Sequence, residues 1–409
     1  MHILFLTDNF PPEVNAPASR TFEHCREWVR QGVQVTVITC APNFPKGAVF
    51  EGYRNTLWHS AMVDGIRVIR VWSYITANEG FVKRVLDYLS FMCTATIAAL
   101  FVRKVDVIVG TSPQFFTACA AYATSVLKRR PWAFELRDLW PESIKAVGAM
   151  EDSAAIRFLE RVEQMLYRKA DRIIAVTHSF KNTLMRRGVD GSKIDIITNG
   201  VDLDNFRPMP KDANLTRELG LDGCFVAGYI GTHGMAHGLN TLLDAAALLQ
   251  DRLDGADIRL LFLGHGAEKA ALVERTTQMA LRNVRFLDSV PKSEVARYWS
   301  LLDASVIHLR NTDLFNSVIP SKLFECMGMA IPVLHGVPGE SAEIVRAEGV
   351  GEVFESGNAQ QLANELLRLR SDPERHNRYR VNGPIAGRKY NRSDLARRML
   401  EVLKSMQRQ

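Results

Sequence analysis

The stretch FVAGYIGTHGMAHGLNTLL, Phe225 to Leu243, decides the fold. Phe225 to Ile230 is a short apolar run of the kind that forms a parallel strand covered on both faces. Gly231, Gly234 and Gly238 then open a helix beginning near Leu239. A strand, a glycine turn and a helix start a βαβ unit, and such a turn presents backbone N–H groups and a helix N-terminus to an anion. The spacing is neither G-x-G-x-x-G nor a P-loop, so it reads as a phosphate site but not as a dinucleotide fingerprint. His233 and His237 have the chemistry to donate to that phosphate, although a loop histidine is commonly just solvated.

The same alternation runs in both directions. Before this stretch come HILFLT, VQVTVIT, IRVIRVW, VDVIVGTS, WAFELRD, RIIAVTHS and IDIITNGVD; after it come IRLLFLG, VRFLD, ASVIHL, IPVLHG and VGEVF. Apolar runs alternating with helix-length segments imply right-handed βαβ units and an α/β fold. A chain of 409 residues is too long for one ordinary core. The polar, proline-containing segment 205–220 marks a boundary between two doubly wound domains, expected at 1–207 and 208–386, with 387–409 a helix that crosses back to the first. Ligands of such sheets bind beyond the carboxyl ends of the strands, so the loops there are expected to line a cleft that the domains face.

Three further loops stand out. GHGAEK, 264–269, is a second glycine turn. In SVIPSKLFECMGMAIPVL, 317–334, Pro320 suits a first helical turn, whose free N–H groups would lie beside the Lys322 charge. Glu325 follows on the same face, able to accept hydrogen bonds from vicinal hydroxyls. An exposed ion pair of this spacing is worth only about 0.2–0.5 kcal/mol. The flanking residues are too apolar for an exposed helix, so the pair reads as a nucleoside diphosphate site. In the first half, TDNFPPEVNAPASR (7–20) is a stiff loop, and FELRDLWPE places Glu135, Arg137, Asp138 and Glu142 at one strand end.

Composition bounds the rest. Hydrophobic residues make up 47% and charged residues 23%, as in a soluble globular protein. The six cysteines have no C-x-x-C spacing, which argues against a zinc site or disulfide framework and fits a reducing compartment. No signal peptide is read at MHILFLTDNF. Residues 81–130 hold seven basic side chains against Asp87 and Asp106. There FVKRVLDYLSFMCTATIAALFVRK, 81–104, is an apolar helix with basic ends. Its uncharged part, 88–102, is short of the roughly 20 residues of a spanning helix. It reads either as a buried helix or as one lying on an anionic membrane surface.

These motifs, in this order, resemble the retaining glycosyltransferases of family 4, over essentially the full length. The resemblance rests on FPPEVNAPASR, ELRDLWPES, RIIAVTHSFKNTL, ITNGVDLDNFRP, GYIGTHGMAHGLNTLLDAA, LLFLGHGAEK, FLDSVP, LLDASVIHL and PSKLFECMGMAIPVL. It implies the GT-B fold of two Rossmann-like domains. The wording of PSKLFE and RDLWPES is most similar to bacterial O-antigen and capsule transferases of N-acetylated deoxyamino sugars, including L-fucosamine-type enzymes. It implies transfer from a UDP-sugar to a hydroxyl of a polyprenyl-diphosphate-linked saccharide, by an enzyme peripheral on the inner face of the cytoplasmic membrane. No cofactor, metal or nucleic acid is expected.

Carried over by position, the resemblance puts the donor on Gly231, Thr232, His233, Gly234, Gly264, Val290, Pro291, Asn316, Ser317, Pro320, Ser321, Lys322, Leu323 and Glu325. Asp138, Arg137, Lys322 and Glu325 become the catalytic candidates, and Glu13, Asn15 and Arg20 the acceptor side. Ser317 departs from the family, which often has a glutamate there. Asp202-Leu-Asp204 imitates a metal-binding D-x-D but matches a structural turn. No glycosidase-like carboxylate pair is evident, so front-face displacement is expected. The rivals are a nucleotide-sugar epimerase of the same fold and a non-catalytic sugar-nucleotide-binding protein.

Overall fold

The computed structural model describes residues 1–44, 46–76, 81–140, 142, 154–312 and 315–407. The chain divides into two compact units: unit 1, residues 1–198 and 392 onward, and unit 2, Asn199–Asn391. The crossings thus fall at 198/199 and 391/392, where the sequence suggested 207/208 and 386/387.

Unit 1 is built on β1 (His2–Leu6), β2 (Gln34–Cys40), β3 (His59–Val63), β4 (Ile66–Val71), β5 (Val107–Thr111), β6 (Trp132–Leu136), β7 (Arg172–Ala175) and β8 (Ile194–Ile196). They form one sheet in the order β3-β4-β2-β1-β5-β6-β7-β8. All neighbours are parallel except the β3–β4 hairpin. The central strands β1, β5 and β6 are buried along their whole length, as their mainly apolar sequences require, with Glu135 in β6 a buried, paired exception. Strand order reverses between β1 and β5, the position at which open α/β sheets take their ligands.

Unit 2 contains β9 (Phe225–Ile230), β10 (Ile258–Leu263), β11 (Val284–Leu287), β12 (Ala304–His308), β13 (Val333–Gly336) and β14 (Gly351–Val353). Its sheet, in the order β11-β10-β9-β12-β13-β14, is parallel throughout. This is the strand order of a nucleotide-binding α/β domain, with its switch point between β9 and β12.

The helix Arg392–Ser405 belongs to unit 1. Leu395, Ala396, Met399, Leu400 and Leu403 enter the same apolar core as Ile3, Phe5 and Trp28. Trp28 Nε1 donates to the Ala396 carbonyl at 2.8 Å, and Arg392 pairs with buried Glu23.

Helix Phe81–Phe101 is not a core helix. Phe91, Ala95, Ala98 and Ala99 are buried, but only 22% of the window from Lys83 to Phe101 is. By length and composition alone it could cross a membrane.

Candidate functional site

The switch point of unit 2 assembles three of the stretches picked out from the sequence. The loop after β9 lies against the loop after β10. Gly231 N–H donates to Leu263 O at 2.9 Å, His233 N–H to His265 O at 3.0 Å, and Glu268 N–H to His233 O at 2.9 Å. The loops therefore continue the β9–β10 ladder past the sheet. The contact is close enough that a Cβ on Gly264 (φ 150°) would sit 1.9 Å from Gly231 O, which only glycine avoids. One consequence narrows the phosphate reading: the N–H groups of Gly231 and His233 are already engaged. With alternate groups pointing outward, Thr232 and Gly234 are the donors this loop can offer.

Lys322 reaches this loop from the other side of the switch point. A Cβ on Gly231 (φ 141°) would come within 2.7 Å of its Nζ. The ammonium rests 3.7 Å from the centre of the Tyr229 ring. Among the described residues no carboxylate lies within ion-pairing distance of it. Burial pushes its pKa down to about 8, against an upward pull from Glu325 and then Cys326. A desolvated cation held by a ring face, with no acid beside it among the described residues, has the chemistry to take an anion.

The helix carrying it runs from Lys322 to Met329, with Ser321 as an N-cap that makes no side-chain capping bond. Pro320 therefore lies before the helix and not in its first turn. Leu323 N–H bonds to Pro320 O and Phe324 N–H to Ser321 O, both at 3.1 Å. The tightened start leaves Ser321 and Lys322 as the N–H donors of this end. Leu323 is fully buried in the apolar core, so it supports the site from beneath. Glu325, half-buried, is in the same first turn.

The other donor candidates are spread around this centre. Val290 and Pro291 follow β11, with Val290 packed on the core and Pro291 capping the helix Lys292–Trp299. Lys269 fixes the adjacent turn by donating to Gly264 O, Leu287 O and Asp288 Oδ1, at 3.0, 2.8 and 2.6 Å. Asn316 and Ser317 lie in a short 3-10 turn, Phe315–Ser317, and the buried Asn316 Oδ1 has no hydrogen-bond partner among the described residues.

The His233 ring turns into the core. It is fully buried among Tyr229, Phe262 and Phe286, and both ring nitrogens lack partners among the described residues. Burial, then Lys269 and Lys322, lower its pKa to about 4, so the ring is neutral at physiological pH. Its backbone belongs to the loop; its side chain belongs to the core.

Unit 1 gives its candidates a different fate. Arg20 is buried, donating Nε to Glu135 Oε1 at 2.8 Å and its terminal nitrogens to Thr198 O at 2.6 Å and Ile197 O at 2.9 Å. Glu13 Oε1 accepts from the N–H groups of Asn43 and Phe44, at 2.8 and 2.9 Å, and so ties two loops. Asn15 caps the helix Ala16–Arg30 by accepting from Ala18 N–H at 2.9 Å. Arg137 donates to Pro17 O and Ala16 O, and its own N–H and that of Asp138 bond to Ser112 Oγ. Burial lowers the Arg137 pKa to about 10. Glu142 lies 2.5 Å from Arg187. Asp202 Oδ1 accepts from Asp204 N–H and Oδ2 from Asn205 Nδ2, an Asx turn that accounts for the D-x-D pattern.

Two residues at strand ends escaped the sequence reading. Tyr229 carries the Lys322 ammonium on its ring, and its hydroxyl donates to Thr232 O at 2.8 Å. Strand alternation places it on the face of Gly231, a signal that was available. Asp8, at the end of β1, has its pKa raised to about 8 by burial and by Asp87 and Glu13.

Comparison with known proteins agrees with this division. The family described as Glycosyl transferase 4-like domain matches residues 15–200, and the family Glycosyl transferases group 1 matches residues 215–385. WcaI of Escherichia coli K12, whose name places it among colanic acid biosynthesis glycosyl transferases, is 25% identical over 335 residues, 79% of this chain and 80% of its own. Among solved structures, a sucrose-phosphate synthase from Thermosynechococcus elongatus superposes with a TM-score of 0.78 at 17% identity, covering 99% of this chain and 98% of that one. Anabaena HepE, in complex with UDP-glucose, gives 0.73 at 18% identity, over 99% of this chain and 100% of its own. Both likenesses are likenesses of fold.

Proposed function

We propose that this chain, a glycosyltransferase of the GT-B fold related to enzymes of polysaccharide and glycoconjugate synthesis, takes its sugar from a UDP-sugar bound at the switch point of unit 2. The observation that carries the reading is the Lys322 ammonium, desolvated, unpaired with any described acid and pressed against the Gly231 loop. The diphosphate supplies its counter-charge. The N–H groups of Thr232, Gly234, Ser321 and Lys322 complete the cradle, and Glu325 takes the ribose hydroxyls. The HepE complex with UDP-glucose, on a similar fold, supports uracil as the base.

The reaction is retaining. The bond from the anomeric carbon to the diphosphate oxygen breaks, and the acceptor hydroxyl oxygen bonds to the same face. The departing diphosphate takes the hydroxyl proton. Lys322 and the backbone donors neutralise the charge that develops on the leaving group, which is where such preorganised groups act most strongly. This step is routed through no metal.

The sugar is an N-acetylated amino or deoxyamino sugar, on the wording of RDLWPES and PSKLFE. The acceptor is a polyprenyl-diphosphate-linked saccharide of O-antigen, capsule or exopolysaccharide assembly. Relatives named for colanic acid and teichuronic acid biosynthesis support polymer construction. The enzyme works at the inner face of the cytoplasmic membrane, and the basic, apolar segment 81–130 supports that placement.

A thermal-shift panel of UDP-, GDP- and dTDP-sugars tests the donor. Stabilisation by UDP-sugars, lost in Lys322→Ala, is expected; equal response of wild type and variant overturns the site. Released UDP that appears only with an acceptor identifies a transferase. Donor isomerisation without one identifies an epimerase.

A further inference from the structure

The helix Phe81–Phe101 is not alone on its face of unit 1. It carries Leu86, Ile97, Leu100 and Phe101 at 50, 58, 44 and 70% exposure, with Cys93 exposed between them. These positions recur at helical spacing, so one stripe of the helix is both apolar and uncovered. The β3–β4 hairpin runs beside it. Tyr74 N–H donates to Ser90 Oγ and Thr94 Oγ1 to Trp72 O, both at 2.7 Å, and the Trp58 ring meets Phe101 edge-on at 6.4 Å. Leu57, Trp58, Met62, Trp72 and Tyr74 are themselves 78, 41, 66, 37 and 42% exposed. β3 is an edge strand with His59 through Met62 exposed, so neither of its faces is covered.

We infer that hairpin and helix form one bipartite docking face for an anionic lipid bilayer, the hairpin supplying the aromatic part. This extends the membrane placement proposed above from the helix to a second element that the sequence did not mark. A contiguous apolar surface of this kind is uncommon on a monomer and marks an interaction site. Charge selects the occupant. Lys83 and Arg84 are exposed at one end of the helix; Arg103, Lys104, Arg129 and Arg130 cluster past the other, Arg130 included among the exposed. The acids of this segment are withdrawn. Asp106 accepts from His2 N–H at 2.7 Å, and burial raises the pKa of Asp87 to about 6. Cations bracketing an apolar stripe suit phosphate head groups above acyl chains, and Trp and Tyr favour that boundary. The helix lies flat, because hydrogen bonds to the hairpin and the buried Phe91, Ala95 and Ala98 hold its other side.

The test is co-sedimentation with vesicles of phosphatidylcholine alone or mixed with phosphatidylglycerol at physiological salt. The proteins are wild type, the hairpin variant L57S/W58S, and the charge variant K83Q/R84Q/R103Q/K104Q. Wild type is expected to bind the mixed vesicles and to bind phosphatidylcholine weakly. Each basic side chain removed should weaken the mixed-vesicle binding about fivefold. L57S/W58S should lose at least tenfold, and quenching by brominated lipid should fall in Trp58→Phe. All changed residues are exposed, and unchanged UDP binding and thermal melting confirm folding. Wild-type partition of L57S/W58S overturns the bipartite face. Dimerisation in solution that L57S/W58S abolishes overturns lipid as the occupant. Wild type that binds UDP but no vesicle refutes docking and leaves the donor reading standing; vesicle binding without UDP binding does the reverse.

Discussion

The two units share an architecture and treat their strand-end charges in opposite ways. In unit 1, Arg20 finds Glu135 and two carbonyls, Arg137 finds two carbonyls, and Glu13 finds two N–H groups. In unit 2, Lys322 finds the face of a ring. Buried polar groups are normally satisfied, so a cation that rests on a ring face, with neither a carbonyl nor an acid as partner among the described residues, is the informative one. A charged residue at the carboxyl end of a strand is thus insufficient to mark a ligand site. What matters is whether the protein itself has already answered the charge.

The largest expected effect tests the satisfied side. Arg20→Met strands Glu135, and breaking a buried pair costs about 3–5 kcal/mol. Urea denaturation should show that loss, with UDP affinity of the folded protein unchanged. A variant of normal stability that no longer binds acceptor would instead place Arg20 in the site and dissolve the contrast. Next comes Lys322→Ala, which should cost about 1.5–3 kcal/mol of UDP binding by calorimetry. It should not lower stability, since a desolvated ammonium is being removed. Loss of stability with UDP affinity intact would make Lys322 structural as well.

Tyr229 sharpens the contrast further. Tyr229→Leu removes the ring that holds the ammonium, an interaction worth up to about 2 kcal/mol when desolvated. The Lys322 pKa should then fall below about 8. Tyr229→Phe keeps the ring and gives up only the bond to Thr232 O, about 0.5–1.5 kcal/mol. Equal pH profiles of UDP binding in the two variants would show that the ring does not support the charge.

The smallest effect is the pH dependence of the wild type. The diphosphate prefers the ammonium form, so binding is undiminished while Lys322 is protonated and weakens as pH rises through about 8. The limiting slope is about tenfold per pH unit. The folding term has the opposite sign. A lysine whose pKa is lowered on folding binds its proton better when unfolded, so its contribution to stability grows as pH rises from about 8 toward its ordinary value. A UDP affinity flat from pH 7 to 9.5 would remove Lys322 from the phosphates.

Most of the fold was legible because buried parallel strands announce themselves as apolar runs. β3 was missed for the converse reason: a strand with nothing covering it has no alternation to read. In the candidate site, the glycine turn at Gly231 and the helix start at Lys322 were legible from spacing, because both are local. Tyr229 was passed over although alternation puts it on the face of Gly231, since a tyrosine inside a strand looks like core until something is found resting on it. Arg20 could not be assigned from sequence either, because its partners stand 115 and 177 positions away. His233 was misjudged through its backbone; the loop it sits in faces outward while its ring faces in.

The helix Arg392–Ser405 has a consequence for how the protein comes into being. Unit 2 is one unbroken stretch of chain and can close on itself as it leaves the ribosome. Unit 1 is translated earlier yet must wait, because Leu395, Met399, Leu400 and Leu403 fill a core that β1 and Trp28 leave open. For as long as unit 2 takes to be synthesised, that apolar trough is exposed to chaperones and to other nascent chains. The part of the molecule made first is completed last, and a message cut short anywhere before residue 392 yields a unit 1 that lacks one wall of its core.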